Sequence, residues 1–395
     1  MKVLMLGWEL PPHNSGGLGV ACLQLCKSLA KNNIDIDFIL PYEAEHKIDF
    51  MRIHSTSPVN FEKFNHQLNV YEGSKYLTTH ELTSQQLSYE NFVADKALNG
   101  EFDIIHAHDW LTFRAGIKAK QVSGMPLIVH VHSVESDRAG GEPGHPMIRD
   151  IEQLGLSMAD KIIAVSERTR QSIAHDYDIP LSKISVVHNS VDVEELESLD
   201  QNNIYDYLTV LKNRGYKVVT NVGRLTVQKN ITGLLYAAQE VVIRLPKTIF
   251  LVVGSGDQYN ELIGLSAELG ILKNVIFTGF QRGKAWRDAF DIADLFVMPS
   301  VSEPFGITPL EAINYGVPSL ISYQSGVAEV YKNCLKVNFW DKNQMANQIV
   351  NFLQNDGIAK TMRINAESEL RKMSWDQSAK KLSKEYEKHA RGVLV

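Results

Sequence analysis

The sequence predicts an α/β fold built from two Rossmann-like, doubly wound parallel sheets. Short apolar runs alternate with helical stretches, the pattern stops in a polar segment at about residues 191–215, and it then starts again. Alternation of strand and helix favours parallel sheets with helices on both faces. A chain of 395 residues is also too long for one ordinary core. We therefore expect two domains, at residues 1–200 and 210–375.

The elements of the first half follow from apolar runs and their spacing. A first strand at Lys2–Leu6 is followed by a glycine-containing loop and by a helix, in which Val20, Leu23 and Cys26 recur at helical spacing. Further strands are expected at Asp35–Leu40, Asp103–His108, Leu127–His132, Lys161–Ser166 and Ile184–Asn189. Residues 43–100 are irregular and polar, and the sequence does not predict their order of elements.

The second half repeats this alternation. Its strands are expected in the runs KVVTNVG, TIFLVVGSG, NVIFTGF, LFVMPS, PSLISY and CLKVNF, each followed by a helical segment. The last segment, from Trp375 onward, is helical and charged and could pack on either domain.

Composition and charge indicate a soluble cytoplasmic protein. Hydrophobic residues make up 44% of the chain and charged residues 22%, and the formal net charge of −6 argues against a nucleic-acid partner. Three cysteines cannot form a disulfide framework and fit a reducing compartment. The sequence contains neither a signal-peptide core nor an apolar run of membrane-spanning length. Peripheral membrane contact and the oligomeric state stay open.

The segment Ser302–Ala312, SEPFGITPLEA, holds the most informative pair of acidic residues. It lies between a buried-strand run and a helical segment, so it forms the kind of turn at which parallel α/β proteins bind ligands. Glu303 precedes the helix and has no structural role in it. Thr308-Pro309-Leu310-Glu311 is also an ordinary capping box, in which Glu311 would only close the helix start. An acid pair beside a helix start that suits phosphate suggests sugar-phosphate chemistry.

Glycines fill the first strand-to-helix loop, Asn14–Gly19. They permit close approach of the backbone to a phosphate or sugar, although a tight turn alone would also explain them. Cys22 stands where a dinucleotide fingerprint has its third glycine, so a dehydrogenase is disfavoured.

Two strand ends each carry a pair of histidines, HAHDW with His106 and His108, and HVHS with His130 and His132. The strand period of two puts both members of a pair on one face. Four histidines could bind a metal, but Asp109 is the only evident carboxylate support, and we expect no metal site. We expect one member of each pair in the core. The strand-terminal member, His108 or His132, would face a cleft and donate to a sugar hydroxyl or assist proton transfer.

Two cations follow the strand KVVTNVG. Arg224 and Lys229 are five residues apart in a strand-to-helix turn, which suits a diphosphate, although a solvated pair of surface charges is the alternative. The next strand ends in a further glycine turn at Gly254–Asp257. Turns that follow parallel strands gather on one edge of each sheet, and they would form one site if the two edges faced each other.

Together these motifs resemble the retaining group-1 (GT4) nucleotide-sugar glycosyltransferases. That family has the GT-B fold, in which two Rossmann-like domains face an interdomain cleft. The matching segments, in chain order, are GWELPP…GGLG, HAHDW, HVHS, VVHNSVD, GRLTVQKN, VVGSG, SEPFGITPLEA and SGVAEV. They extend across nearly the whole chain. The opening, HDW and QKN elements are also similar to those of bacterial glycogen synthases.

The resemblance implies how a sugar nucleotide would be bound. Arg224 and Lys229 would bind the donor diphosphate and stabilise the departing nucleotide. Glu311 would bind the ribose hydroxyls, and Glu303 would hold the transferred sugar near its 3-hydroxyl. The full implied donor-binding set is Gly16, Gly17, Arg224, Lys229, Gly254, Phe305, Gly306, Ile307, Thr308 and Glu311.

The resemblance also implies which residues act in the reaction. Gly17 would approach the diphosphate and sugar from the first domain. His132 matches the histidine near the sugar in family-4 enzymes, and His108 matches that of HDW in glycogen synthases; we prefer His132. The implied catalytic residues are His132, His108, Glu303, Lys229 and Arg224.

Three further properties come with the resemblance. The transfer would need no metal and no cofactor beyond the donor, and the anomeric configuration would be retained. The D-x-D strings at Asp35–Asp37 and Asp176–Asp178 stand beside no other ligand cluster. The final helix, residues 376–395, would return to the first domain.

The leading hypothesis is a glycogen-synthase-like transferase that moves glucose from ADP- or UDP-glucose to an α-glucan. Acceptor choice is expected in residues 43–100 and in the loop ESDRAGGEPGHP. A transferase for a cell-surface glycan or glycolipid is the alternative within the class. A nucleotide-sugar epimerase and a catalytically silent binding module are the alternatives outside it.

Overall fold

The computed structural model describes residues 1–14, 16–58, 80–191 and 203–390. These residues pack into two units. Unit 1 contains residues 1–136, residues 143–190 and the chain from Trp375 onward, and unit 2 contains residues 137–142 and 191–374. Apart from the short segment 137–142, the chain passes into unit 2 at residue 191 and returns to unit 1 at Trp375.

Both units consist of strands that alternate with helices. The strands are β1 (Lys2–Leu6), β2 (Asp35–Leu40), β3 (Arg52–Ser55), β4 (Ile104–His108), β5 (Leu127–Val131), β6 (Lys161–Ala164), β7 (Ile184–Val186), β8 (Lys217–Val222), β9 (Thr248–Val253), β10 (Val275–Gly279), β11 (Leu295–Met298), β12 (Ser319–Ser322) and β13 (Leu335–Val337). The α-helices are α1 (Gly17–Lys31), α2 (His80–Asn99), α3 (Trp110–Ser123), α4 (Glu135–Arg138), α5 (Pro146–Met158), α6 (Glu167–Tyr177), α7 (Asp206–Lys212), α8 (Ile231–Arg244), α9 (Tyr259–Glu268), α10 (Gly283–Asp291), α11 (Thr308–Asn314), α12 (Lys342–Leu353), α13 (Asp356–Leu370) and α14 (Trp375–His389).

Each unit has one parallel sheet of doubly wound topology. The seven strands of unit 1 follow the order β3-β2-β1-β4-β5-β6-β7, and the six of unit 2 follow β10-β9-β8-β11-β12-β13. All their pairings are parallel. The strand order reverses between β1 and β4 in unit 1 and between β8 and β11 in unit 2. The predicted fold class is therefore confirmed, and each sheet has a switch point of the kind that opens a ligand crevice.

One strand ends earlier than the sequence predicts because the residues after it begin a helix. The run at 161–166 stops at Ala164, and the Ser166 hydroxyl accepts a hydrogen bond from the Thr169 N–H at the start of α6. Such a serine has extended backbone angles but belongs to the helix start.

The sequence did not predict the edge strand β3, which ion pairs hold in place. Asp37 on β2 accepts a hydrogen bond from Arg52 Nε at 2.6 Å and contacts His54 Nε2 at 3.0 Å. Burial alone would raise the pKa of Asp37, but its bonds to Arg52 and His54 hold that pKa below its usual range. Arg52 also binds Asp35 at 2.7 Å. Both aspartates of this D-x-D string are thus used in sheet pairing.

Helix α2 is the second element of unit 1 that the sequence did not predict. Its buried residues Tyr89, Val93 and Ala97 are four apart, so they form one apolar stripe. The helix packs against α3, and the Tyr89 hydroxyl donates to the carbonyls of Gly7 and Ile39 at the ends of β1 and β2.

The last helix, α14, forms part of the unit 1 core. It packs against α1 and buries Ala379, Leu382 and Tyr386 along one face. The Ser378 hydroxyl donates to the carbonyl of His188 at 2.6 Å. Within the part of the chain that the structure describes, no helix combines the length and apolar character that a membrane crossing requires.

The core of unit 2 lies where α8 and α12 cover one face of the sheet. It contains large aliphatic and aromatic side chains from strands and helices, among them Val219, Leu234, Phe250, Leu295 and Met345. This packed layer fixes the strands whose carboxyl ends carry the functional residues.

We predict that Leu382→Ala lowers the free energy of unfolding of unit 1 by about 2–5 kcal/mol, because it leaves a cavity under α14. Denaturant unfolding followed by circular dichroism measures this change. Lys381→Ala, at the exposed neighbouring position, is the control and should stay within about 0.5 kcal/mol. Equal, small effects of both variants would show that α14 is not part of the core.

Candidate functional site

The functional residues of unit 2 lie at its switch point. The turn after β8 carries Arg224 and Lys229, and the turn after β11 carries Glu303. These two strands are neighbours in the sheet, so their carboxyl-end turns meet. The sequence placed the cation pair and the acid in separate motifs, and the sheet order brings them together.

Lys229 and Glu303 form a largely buried ion pair. Lys229 Nζ lies 2.6 Å from Glu303 Oε2, and Glu303 is only 6% exposed. The Ser300 hydroxyl donates a second hydrogen bond to the same carboxylate oxygen at 3.0 Å. A solvated surface pair, the alternative for Lys229, is thus wrong.

The two residues that flank Lys229 fasten its turn to the Glu303 turn. Gln228 Nε2 donates to the carbonyl of Ser302 at 3.0 Å, and the Val301 N–H donates back to the carbonyl of Gln228 at 2.9 Å. Asn230 Nδ2 donates to the carbonyls of Pro299 and Phe339 at 3.0 and 2.9 Å. The sequence analysis missed both amides, although their position beside a functional lysine was visible in QKN.

Asn230 also adopts an unusual backbone conformation. Its φ of 55° is left-handed, and its side-chain oxygen accepts the N–H of Gly233 at the start of α8. Asparagine tolerates this conformation better than most residues because its short side chain can bond locally. Asn230 therefore joins the end of a 3₁₀ turn, Val227–Lys229, to the following helix.

Arg224 is tied into the same network. Its NH2 group lies 3.4 Å from Gln228 Oε1. Gln228 thus contacts both Arg224 and the turn that carries Glu303. Both predicted diphosphate cations and the acid belong to one hydrogen-bonded arrangement.

Two glycines let the backbone turns come together. Gly254, after β9, has φ 147°, and a Cβ there would lie 1.8 Å from the carbonyl oxygen of Gly223. Gly306 has φ 90°, and its Cβ would lie 2.7 Å from Met298 Cε and 3.0 Å from Glu303 Cγ. No other residue fits at either position without moving its neighbours.

The backbone after Glu303 offers donors. Within the described residues, the N–H groups of Gly306 and Ile307 have no hydrogen-bond partner. The carbonyl of Phe305 is already engaged, because it accepts the Val327 N–H at 2.7 Å. The N–H groups of Gly306 and Ile307 are therefore available to donate to a ligand.

Glu311 does not close the start of α11, so the capping-box interpretation is wrong. The helix begins at Thr308, Ile307 is its N-cap, and no side chain caps it. The Thr308 hydroxyl points instead at Met298 Sδ, 3.6 Å away. The Glu311 carboxyl has no hydrogen bond or ion pair with any described residue, and desolvation raises its pKa to about 8.

In unit 1, the glycine loop leads directly into α1. A Cβ at Gly16 or Gly17 would meet nothing within 4 Å, so the backbone is open there. A Cβ at Gly19, in contrast, would lie 2.9 Å from Asn14 Cβ. The N–H of Gly19 donates to Glu9 Oε1 at 3.3 Å. Gly19 is thus required by packing, whereas Gly16 and Gly17 leave room for a ligand.

The four histidines form one layer on the face of β4 and β5. His106, His108 and His130 are 0–1% exposed, and His132 is partly exposed. The expectation that one member of each pair lies in the core holds for His106 and His130. The prediction that His108 could face a cleft is wrong. His108 is buried, and its ring nitrogens contact His132 Nε2 and Met5 Sδ at 2.9 and 3.1 Å.

Asp109 stabilises the strand ends that carry these histidines. Its Oδ1 accepts the N–H of His132 at 2.7 Å, and its own N–H donates to the carbonyl of His130 at 3.0 Å. Asp109 has φ 56° and ψ 170°, a conformation that is costly for any residue except glycine. Strain of this kind concentrates at functional sites, so the end of β4 is a candidate for one.

A cavity of about 420 Å³ opens beyond the carboxyl ends of β2 and β3 in unit 1. It is lined by Leu40, Tyr42, Glu43, Ala44, His46, Ile48, Met51, Ile53 and Ser55. His46 Nδ1 lies 3.1 Å from the carbonyl of Pro11, and its Nε2 is buried without a partner. Seven of the nine lining residues belong to residues 43–100, where acceptor choice is expected. Residues 59–79 of that range lie outside the described residues.

We predict that Asn230→Ala weakens the attachment between the turn after β8 and the turn after β11 in unit 2. Each buried group left unsatisfied costs about 1–3 kcal/mol, so amide exchange at Val301 should accelerate about tenfold or more. Hydrogen exchange read by mass spectrometry measures this locally. The control is Asn33→Ala, which also removes an asparagine with positive φ but at an exposed position. Unchanged exchange at Val301 would contradict the fastening role of Asn230.

We predict that Glu311→Gln stabilises unit 2 at alkaline pH. The pKa of Glu311 is about 8 in the folded protein and 4.5 ordinarily. The stability that protonated Glu311 contributes is therefore fully present below about pH 4.5 and is lost as pH rises through 8. Glutamine removes that loss, so the variant should be more stable by on the order of 2 kcal/mol at pH 9 and equal at pH 4.5. Denaturant unfolding at both pH values tests this. Glu268→Gln, at an exposed position, should show no such pH dependence.

Comparison with known families agrees with this geometry. Residues 15–195 match Glycosyltransferase Family 4, and residues 209–369 match Glycosyl transferases group 1. An uncharacterized glycosyltransferase of Methanocaldococcus jannaschii, MJ1607, is 30% identical over 96% of this chain and 96% of its own length.

Two further relatives have named activities. A D-inositol 3-phosphate glycosyltransferase of Salinispora arenicola is 27% identical over 94% of this chain and 87% of its own. A glycogen synthase of Mycobacterium tuberculosis is 24% identical over 84% of this chain and 80% of its own.

Solved structures show the same fold at lower identity. Sucrose-phosphate synthase from Thermosynechococcus elongatus superposes with a TM-score of 0.77 at 19% identity, covering 98% of both chains. HepE of Anabaena, in complex with UDP and glucose, gives a TM-score of 0.76 at 18% identity, covering 98% of this chain and 100% of its own. From its two matched segments and its relative of nearly equal length, the chain belongs to the group-1 (GT4) family of glycosyltransferases and has the GT-B fold.

Proposed function

We propose that this protein transfers glucose from UDP- or ADP-glucose to an α-glucan acceptor, with retention of the anomeric configuration. The observation that carries the proposal is the buried pair of Lys229 and Glu303 at the switch point of unit 2, with Arg224 in the same network. Cations suited to a diphosphate, beside a carboxylate suited to a sugar, support this proposal.

The cations would stabilise the leaving group. When the bond between the anomeric carbon and the diphosphate oxygen breaks, the electron pair stays on the diphosphate, and its negative charge grows. Lys229 is a point charge with several donors, and Arg224 presents a fork that matches phosphate oxygens. Because these two side chains supply the positive charge themselves, the proposed reaction requires no metal ion and no cofactor.

Glu303 would bind the transferred sugar. Its carboxylate accepts hydrogen bonds from Lys229 and Ser300 in the absence of donor. Arrival of a diphosphate gives Lys229 a second anionic partner, so the carboxylate becomes available to accept from a sugar hydroxyl. The N–H groups of Gly306 and Ile307 would bind oxygens of the same donor.

Glu311 would bind the ribose of the nucleotide. An unpartnered carboxyl group beside the Glu303 turn is costly to keep, and desolvation already raises its pKa to about 8. A pair of ribose hydroxyls would donate to the ionised carboxylate and offset that cost. Binding of the nucleotide should therefore favour loss of the proton from Glu311.

Unit 1 carries further residues to which the family resemblance assigns a role. The open backbone at Gly17 suits a diphosphate or a sugar, and His132 is the partly exposed histidine of its cluster. Desolvation lowers the pKa of His132 to about 3, so it would act as a neutral hydrogen-bonding group. In the transfer, the acceptor oxygen bonds to the anomeric carbon and its proton leaves with the diphosphate or solvent.

The α-glucan acceptor rests on observations other than the unit 2 site. It derives from the opening, HDW and QKN elements and from the named activity of the Mycobacterium glycogen synthase. The name of the Salinispora relative favours an inositol phosphate instead. The experiment therefore includes both acceptors.

The donor and acceptor are identified by release of nucleoside diphosphate from UDP-, ADP- and GDP-sugars. Each donor is incubated alone, with maltodextrin or with inositol 3-phosphate. Release from a glucose donor only with maltodextrin supports the proposal, and release only with inositol phosphate replaces the acceptor. Conversion of the donor alone to an isomeric sugar nucleotide would identify an epimerase. Absence of any turnover or donor binding would overturn the transferase proposal.

We predict that Lys229→Ala lowers kcat about 10²–10³-fold, since removal of one preorganised donor to developing charge costs about 2.7–4 kcal/mol. Steady-state release of nucleoside diphosphate measures the change. Lys217→Ala is the matched control, because it breaks an exposed ion pair of the same unit with Asp356. Near-normal turnover of folded Lys229→Ala would exclude the role assigned to this lysine.

A further inference from the structure

Two contacts of the histidine layer determine where its protons lie. His108 Nδ1 is 2.9 Å from His132 Nε2, and His108 Nε2 is 3.1 Å from Met5 Sδ. The three side chains thus form a chain of contacts that ends at His132, the partly exposed histidine of the layer. Because a neutral imidazole carries one N–H and one lone pair, a proton fixed at one end of this chain fixes the others.

Met5 fixes the first proton. A thioether sulfur has no hydrogen and can only accept, so the short contact requires that His108 Nε2 carries the proton and donates it. The opposite tautomer would bring a nitrogen lone pair against the sulfur lone pairs. Both residues are 0–1% exposed, so water does not relieve that repulsion.

The position of the second proton follows from the first. Desolvation holds the pKa of His108 well below its ordinary value, so this ring is neutral and its Nδ1 carries only a lone pair. The proton between the two rings must then belong to His132 Nε2, which donates to His108 Nδ1. His132 is neutral as well, because desolvation lowers its pKa to about 3. Even the ordinary pKa of about 6.5 would leave a histidine largely uncharged near pH 8.

We infer that His132 presents the lone pair of Nδ1 to the ligand and accepts a hydrogen bond from a sugar hydroxyl, with Met5 and His108 as the positioning residues that set this tautomer. Among the described residues, His132 Nδ1 has no hydrogen-bond partner, and it is not one of the fully buried nitrogens of the layer. The identity of the ligand rests on the proposed function. The hydrogen bond runs in the opposite direction to the one expected from the sequence, where His132 was a donor.

A nitrogen lone pair selects among the groups of a sugar nucleotide and its acceptor. Sugar hydroxyls can donate to Nδ1, whereas the oxygens of the diphosphate carry negative charge and no proton, so they would be repelled. His132 would therefore contribute to recognition of a sugar and not to binding of the diphosphate. In this tautomer Nδ1 also has no proton to give to the leaving group.

The neighbouring groups do not reverse this order of protons. The ring of His130 stacks on that of His132 with a centroid separation of 4.5 Å, and neither of its nitrogens forms a hydrogen bond. Cys22 Sγ lies within 4.8 Å of ligand atoms of His108 and His132. Burial raises the pKa of the Cys22 thiol, so it stays protonated and adds no charge beside the two rings.

Long-range ¹H–¹⁵N NMR correlation on the full-length protein, labelled with ¹⁵N-histidine, measures the tautomer directly. We expect Nε2 to be protonated and Nδ1 to be bare in both His108 and His132. The signals are assigned by their loss in His132→Asn and His108→Asn or, should these variants not fold, in the corresponding glutamine variants. A protonated Nδ1 in His132 near pH 8 would overturn the inference. The measurement needs neither ligand nor turnover, so its outcome is independent of the proposed function.

Met5→Leu tests the origin of the tautomer. Leucine has a similar volume but no acceptor, so a proton on His108 Nε2 would be buried without a partner. We expect a fraction of molecules with a protonated His132 Nδ1 to appear. Met125→Leu changes another buried methionine of unit 1 and is the matched control, which should leave the signals of the layer unchanged. An unchanged tautomer in folded Met5→Leu would exclude Met5 as a positioning residue.

Titration with UDP, UDP-glucose, ADP-glucose and maltodextrin identifies the hydroxyl. The His132 Nδ1 signal should move when a glucose donor binds but not when UDP binds, which would assign the hydroxyl to the donor sugar. Movement with maltodextrin alone would assign it to the acceptor. Equal movement with UDP, or no movement with a sugar ligand that binds, would overturn the hydroxyl contact. If none of these ligands binds, the proposed function fails while the measured tautomer stands.

Discussion

The ion pair of Lys229 and Glu303 is the interaction on which the rest of the unit 2 site depends. It exists only because β8 and β11 are neighbours, so that two turns distant in sequence end at one edge of the sheet. Burying two charges is costly, and their attraction offsets this cost only when geometry and further hydrogen bonds are good. The amides of Gln228 and Asn230 supply that geometry by joining the two turns on both sides of the lysine. The network keeps Lys229 and Glu303 largely buried and in fixed positions, so a charged ligand would meet binding groups that are already oriented.

Two other residues are held in states that folding alone disfavours. Glu311 has no partner among the residues that the structure describes and its pKa is raised, and Asp109 has a backbone conformation that glycine would adopt more easily. Each lies at the carboxyl edge of a sheet, beside residues that the family resemblance assigns to the donor. Local violations of stability rules are expected where a site must bind something else. The structure therefore singles out the same edges as the motifs do, on independent physical grounds.

Local patterns predicted most of the fold because buried parallel strands are short apolar runs between turns. The same patterns did not reveal β3, whose Arg52 and His54 are stabilised only by contact with Asp37 on another strand. They also suggested a capping box with Thr308 as N-cap, although Thr308 is the first residue of the helix, Ile307 is the N-cap, and the Thr308 hydroxyl faces Met298. In these cases the structure is decided by a contact with a residue distant in sequence or by the backbone path of a turn. The spacing of residue types along the chain predicts neither.

The histidines show the same limit most clearly. A period of two correctly groups His106 with His108 and His130 with His132, but it says nothing about how the two strands are aligned. The register of β4 on β5 sets His108 opposite His130, and the return of α14 brings Tyr386 to His106. Only these two tertiary facts convert four separate histidines into one buried layer with unpartnered nitrogens. The layer leaves His132 as its partly exposed member, so the sheet itself separates one accessible histidine from three buried ones.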